Sequence, residues 1–224
     1  MAAFFVTGSG TDIGKTFVCA GLAAHWGAQR LTPAVFKPVV TGFDPQAPGE
    51  SDPAVLLAAL GLSADQAAIE AIAPFRFREP LSPDQAAARE GRSLTVDPVA
   101  RACRAAIASA RGPMLIEGAG GVMSPLNGRQ TMLDLAAAIG APVLFVADSR
   151  LGSISHALTG LAALRSRGLR VAAVLVNESP TGSVGTAPTI QSLAGHFDRA
   201  PILAVPRDAG GQAWAQISAA LGVA

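Results

Sequence analysis

A three-layer α/β fold, a parallel sheet flanked by helices, is what this 224-residue sequence predicts. Three observations carry the expectation. Short β-rich runs alternate with longer helical patterns, the order that builds parallel sheets through right-handed crossovers. The short runs are continuously hydrophobic, as suits strands covered on both faces. In "FFVTGSGTDIGKTF" a strand passes through a glycine-rich turn into a helix, the setting in which main-chain N–H groups and the helix dipole receive an anion.

The elements follow in order. "AFFVTG" (Ala3 to Gly8) is the first strand, and a helix runs from Lys15 to Gln29. "AVFKPVV" is the second strand. An Ala-rich helical insertion comes next, Asp52 to Leu60, Ala64 to Ile72 and Ser82 to Glu90, broken at Gly61, Pro74 and Pro80. It is too long for a simple crossover and is expected to cover one end of the sheet. The helix from Val99 to Arg111 leads to the strand "PMLIEG", Thr131 to Ile139 to "PVLFVAD", Ser153 to Arg167 to "RVAAVLVN", and Pro188 to His196 to "APILAVP". The turn-forming stretches "FDPQAPGES" and "NESPTGSVGTAP" read as loops near strand ends, where open α/β sheets place ligands.

Length and composition fit one domain spanning residues 1–224. With 15% charged residues and a formal net charge of +1, no broad charged face points to nucleic acid or a membrane surface. Cys19 and Cys103 fall in helical patterns outside any metal-spaced cluster and read as buried packing residues. His25, His156 and His196 each stand alone in a helical pattern. The apolar runs are too short to span a bilayer, and Met1-Ala2-Ala3 leads into a strand pattern without a basic leader, so the expected location is cytoplasmic.

The glycine-rich loop departs from the strict pattern G-x-x-x-x-G-K-[ST] at its first position, where Ser9 stands and Gly8 lies one residue too early. Its other end is intact, and this strand–loop–helix setting makes the expected fold P-loop NTPase-like. Gly14 permits close backbone approach, Lys15 offers a cation to the outer phosphates, and the Thr16 hydroxyl is placed for Mg²⁺. Such an ion needs carboxylate help, and two acids lie beside strand ends: Asp52, and Glu117 before "GAGG". The basic residues comprise fifteen Arg and only two Lys, Lys15 and Lys37. A chain so biased to Arg keeps Lys where a compact ammonium is hard to replace, which singles out Lys37.

Together these stretches resemble the dethiobiotin synthetase family, whose loop also carries a hydroxyl residue in place of the first glycine. "GSGTDIGKT" is followed in order by "FKPVVTG", "ESD", "REPLSPDQAAAREG", "EGAGG", "RLGSISHA" and Asn177, so the resemblance spans nearly the whole chain. It implies ATP, CO₂ and 7,8-diaminononanoate as substrates, Mg²⁺ as cofactor, and a carbamate that is phosphorylated before the second amine closes the ring. Lys15 would serve the ATP phosphates and Lys37 would bridge carbamate and γ-phosphate.

By the same resemblance, the nucleotide is held by Asp12, Ile13, Gly14, Lys15, Thr16 and Phe17, by Asp52 and Glu117, and by Gly118, Ala119 and Gly120. Asn177 matches the adenine-reading position, and Pro206, Arg207 and Asp208 fall on the nucleoside wall. Thr16, Asp52 and Glu117 match the magnesium positions. Thr11, Lys37 and Thr41 fall in the diamine site, with Thr41 replacing a usual Ser. Gly152, Ser153 and Ser155 lie on a helix start that would hold the substrate carboxylate from the neighbouring subunit of a homodimer; here Arg150 stands for a usual Lys and Ser155 for a usual Asn. Two other classes share the loop. A partition or septum-site switch ATPase usually carries an extra lysine where this chain has Gly10, and an amide-forming ligase related to cobyrinate amidation would ordinarily have a glutaminase partner, for which no Cys-centred pattern is present.

Overall fold

The computed structural model describes residues 2–180 and 184–223. Of the turn-rich stretch expected as a loop before the eighth helix, Thr181 to Ser183 lie outside the described residues. Six parallel strands form the main sheet in the order β2-β5-β1-β6-β7-β8: β1 (Ala3–Gly8), β2 (Ala34–Phe36), β5 (Met114–Glu117), β6 (Val143–Asp148), β7 (Val171–Asn177) and β8 (Ile202–Val205). Phe5, Val6, Ile116 and Val143 to Ala147 are all buried, which is why their segments read as unbroken apolar runs.

The sheet is covered on both faces. On one side lie α1 (Lys15–Ala28), α2 (Asp52–Ala59) and α9 (Gly211–Ala220), packed on Phe4, Val6, Leu144 and Leu175. The other side carries α5 (Val96–Ser109), α6 (Met132–Ile139), α7 (Ser153–Ser166) and α8 (Thr186–Ala194). Cys19 and Cys103 are buried in these layers as expected, and burial raises both thiols, Cys103 to about 12. No helix among the described residues is long and apolar enough to cross a membrane.

Three elements differ from the sequence expectation. "AVFKPVV" is two strands: β2 stops at Phe36 because Pro38 has no N–H for the ladder, and Val39–Val40 (β3) pairs instead with Phe75–Arg76 (β4) in a separate parallel ribbon. The fifth helix begins at Val96 rather than Val99, since Pro98 is tolerated in a first turn where its missing N–H has no helical partner. The C-terminal helix α9 lacks an apolar stripe strong enough to announce it, but Trp214, Ile217 and Ser218 bury one face at helical spacing. The insertion is helical as read, with α2, α3 (Gln66–Ile72) and α4 (Pro83–Arg89), and α4 lies over the C-terminal ends of the strands at the mouth of the cleft described next.

Candidate active site

The carboxyl ends of β1, β2 and β5 meet at a cleft of about 890 Å³. Strand register builds its floor. Phe36 of β2 lies opposite Ile116 of β5, so the residues that follow, Lys37 and Glu117, emerge side by side. Val6 of β1 pairs with Glu117 itself, which brings the loop after β1 over the same point.

That loop explains its own departure from the strict pattern. A Cβ on Gly8 would sit 2.1 Å from the Val146 carbonyl oxygen, so glycine is demanded there by the neighbouring strand. Ser9 N donates to the same carbonyl at 3.0 Å, and among the described residues the left-handed non-glycine positions are Asp12, Arg30 and Thr32, so Ser9 needs no glycine backbone. Gly14, the N-cap of α1, has φ 92°.

Four charged groups and a hydroxyl converge beneath the loop. Lys37 Nζ stands 2.5 Å from Glu117 Oε1 and 2.7 Å from Asp52 Oδ2, and Thr16 Oγ1 donates to Glu117 Oε1 at 2.7 Å. Lys15 Nζ donates to the Gly10 carbonyl at 2.6 Å. Lys15, Lys37 and Glu117 are 6%, 5% and 1% exposed, whereas the Asp52 side chain is 50% exposed. Burial is the largest influence on Lys15 and pulls its pKa down to about 8, against the attraction of Glu117. Burial also works against Lys37, yet Glu117 and Asp52, with the hydrogen bonds they accept, hold its pKa above the ordinary lysine value.

Glu117 Oε2 is buried and has no hydrogen-bond partner among the described residues. With Asp52 and the Thr16 hydroxyl it makes a hard-oxygen set of the kind that suits Mg²⁺ alongside phosphate oxygens. No group of three His, Cys, Asp or Glu gathers here or elsewhere among the described residues.

The residues named from the sequence divide into two groups by position. Thr11, Asp12, Gly14, Lys15, Thr16, Lys37, Thr41, Asp52, Glu117, Ala119 and Gly120 all line the one cleft. Ile13, Phe17, Gly118, Asn177, Pro206, Arg207 and Asp208 do not line it. Ile13 is buried, Gly118 packs on Phe5, Phe17 packs against Trp214 with ring centroids 5.6 Å apart and planes tilted by 58°, and Asn177 reaches the loop at the Ile13 carbonyl. Gly152, Ser153 and Ser155 also stand away from this cleft, at the start of α7 beside the exposed Leu151. Residues not named from the sequence complete the wall: Val39, Pro80, Leu81, Ser82, Pro83, Gln85 and Ser124. Apart from Ser124 they fall in the stretches "FKPVVTG" and "REPLSPDQAAAREG" that carry the family resemblance, and the insertion was expected to cover one end of the sheet. Ser124 gave no signal, although its hydroxyl accepts from Gly121 N at 2.8 Å and so shapes the "GAGG" turn.

A parallel sheet with a glycine-rich loop leading into α1 defines a P-loop nucleotide-binding protein. Solved structures agree at the level of fold: the chain superposes on a signal recognition particle receptor FtsY from Elizabethkingia anophelis in complex with GDP with TM-score 0.54, at 13% identity over 95% of this chain and 58% of that one. The MinC:MinD cell division protein complex of Aquifex aeolicus gives 0.54 and 13% over 93% and 82%. A family model described as AAA domain matches residues 2–210.

Closer relatives are named ATP-dependent dethiobiotin synthetase BioD. One from Caulobacter sp. (strain K31) is 49% identical over 96% of this chain and 90% of its own, and one from Acidiphilium cryptum (strain JF-5) is 44% identical over 90% and 91%. The chain belongs to the dethiobiotin synthetase family and is an enzyme of the ligase class.

Proposed function

We propose that this chain, as one domain over residues 1–224, uses ATP to carboxylate 7,8-diaminononanoate with CO₂ and close the product into the cyclic urea dethiobiotin, releasing ADP and phosphate. The observation that carries the reading is the placement of two lysines, the only two in the chain, in one cleft with the phosphate loop, in a family of synthetases matched over nearly the whole length.

In the proposed sequence one amine adds to CO₂ and loses a proton, giving a carbamate anion. A carbamate oxygen then attacks the γ-phosphorus of ATP, the bond to ADP breaks, and a carbamic–phosphoric anhydride results. The second amine attacks the anhydride carbon and gives up a proton, phosphate leaves with the bonding pair of the C–O bond, and the ring closes. The difficult encounter is between two anions, opposed by about 4 kcal/mol for each like-charge pair near 4 Å at an effective dielectric of 20. Lys15 and Lys37 bring fixed positive charge to that point without solvent reorganisation, the form of catalysis that usually contributes most. Thr16, Asp52 and Glu117 would hold Mg²⁺, which supplies further positive charge against the phosphate oxygens when bound. Thr11 and Thr41 offer hydroxyl oxygens to orient the amines, and Pro80 to Pro83 of the insertion narrow the cleft above them.

The start of α7 carries main-chain N–H groups suited to a carboxylate, and it lies outside this cleft. A homodimer in which Gly152, Ser153 and Ser155 complete the partner's site is therefore part of the proposal. The test is mass spectrometry of protein incubated with 7,8-diaminononanoate, ¹³C-bicarbonate, ATP and Mg²⁺, with ADP followed in parallel. A labelled cyclic urea formed in step with ADP is expected; ADP formation indifferent to the diamine would instead favour a switch ATPase.

A further inference from the structure

We propose that Asn177 positions the phosphate loop, in addition to any contact it makes with a base, so that a single side-chain amide couples the two ends of a bound nucleotide. The inference rests on the nucleotide-binding part of the function proposed above, not on the diamine chemistry.

Asn177 is the last residue of β7, opposite Asp148 of β6 and Val205 of β8. Its Nδ2 donates to the Ile13 carbonyl at 3.1 Å, across 164 residues of sequence. A trans peptide is planar, with its C=O and N–H on opposite sides. Fixing the Ile13 oxygen toward Asn177 therefore turns the Gly14 N–H the other way, toward the cleft that Gly14 lines. That N–H belongs to the set at the start of α1 that an anion would meet. Gly14 leaves room for this contact as well as supplying its left-handed backbone: a Cβ there would lie 1.9 Å from Asn177 Nδ2.

The amide has one donor committed to Ile13 and keeps a second donor and its carbonyl for a base edge. The next residue extends the connection in the opposite direction. Glu178 Oε2 accepts from Arg207 N at 3.0 Å, so the turn after β8 is held to the same strand end, and Trp214 Nε1 of α9 donates to the Ala209 carbonyl at 3.0 Å further along that turn. The end of β7 thus ties the phosphate loop to the segment where a nucleoside would lie.

A residue that only reads the base and one that also positions the loop differ in how they affect a ligand without a base. The measurement is the affinity of Mg²⁺-loaded inorganic tripolyphosphate and of ATP for the parent protein, Asn177→Ala and the similarly sized Asn177→Leu, by competition against a fluorescent nucleotide. Loss of one hydrogen bond of ordinary net strength should weaken tripolyphosphate about threefold to tenfold, and ATP by at least as much. In the ligand-free protein, amide hydrogen exchange across residues 10–16 should accelerate in both variants while the unfolding midpoint stays near that of the parent. Unchanged tripolyphosphate affinity with weakened ATP, or unchanged exchange in the loop, overturns the proposal. A parent protein that binds ATP but forms no cyclic urea would end the synthetase reading and leave this inference standing.

Discussion

Replacing Lys37 with alanine should damage the protein twice, and the two effects are separable. At 2.5 Å and an effective dielectric of 20, the gross attraction between Lys37 and Glu117 is about 7 kcal/mol, offset in the native protein by the cost of burying both charges. Truncating one member of such a pair leaves the other buried without compensation and costs about 3–5 kcal/mol. Asp52 adds little, since its side chain is half exposed and water screens it. For a chain of this length that loss lowers the midpoint of thermal unfolding by about 6–20 °C. Turnover should fall at least about 100-fold, the scale for removing one preorganised charge at a reacting centre. Thermal denaturation and steady-state ADP release, measured below the variant's midpoint, read the two effects independently. Lys37→Arg tests the geometry: it restores the charge and much of the stability but not the turnover, because a planar guanidinium cannot occupy a point-charge site. A Lys37→Ala protein with parent-like stability would refute the electrostatic account of the pair, and one with near-normal turnover would remove Lys37 from the chemistry.

Two further outcomes follow from the same structure. Ser155→Asp places a negative charge at the exposed start of α7 and should raise the KM for the diamine about tenfold or more while leaving the KM for ATP unchanged; steady-state kinetics in both substrates check it, and an unchanged diamine KM would put the carboxylate elsewhere. Asp134 forms a capping box with Thr131 and an ion pair with Arg167; burial works to raise its pKa, but the Thr131 N–H and hydroxyl and Arg167 outweigh that and lower it. A depressed carboxylate contributes stability that is present above its unfolded pKa and is lost as pH falls through the folded value. Asp134→Asn should therefore cost about 1 kcal/mol at neutral pH, a shift of about 2–4 °C in midpoint, and the difference from the parent should vanish on acidification; a difference that persists into strong acid would contradict the assignment.

Much of this site was legible because its chemistry falls at strand ends and both lysines of the chain are concentrated there. Lys37 stood out through the near-absence of lysine, and Thr16 and Glu117 through the loop and the glycine turn that follow apolar runs. What the sequence left open was who pairs with whom. Asp52 and Glu117 read as metal ligands, and they also clasp Lys37; the contact with Glu117 is set by the register of Phe36 against Ile116, which no local pattern encodes. Pro38 was an overlooked local signal: a proline inside an apolar run ends a ladder, and here β2 stops at Phe36, so that Lys37 leaves the sheet to reach the acids.

The residues beyond reach of pattern reasoning are those whose role depends on approach between distant segments. Ser124 shapes the turn at Gly120 and Gly121 through a hydroxyl that any surface serine carries. Trp214 fits against Gly21, where a Cβ would meet its ring at 2.1 Å, so the docking of α9 on α1 is specified by a glycine inside a helix pattern, where glycine ordinarily counts only as a weak point. Asn177 is the clearest case. From sequence it stands only as the amide at the adenine-reading position, yet the space left by Gly14 and the carbonyl of Ile13 give its amide a second task. A base-reading role can be carried over from a motif, whereas the brace on the phosphate loop becomes visible only when both strand ends are placed side by side.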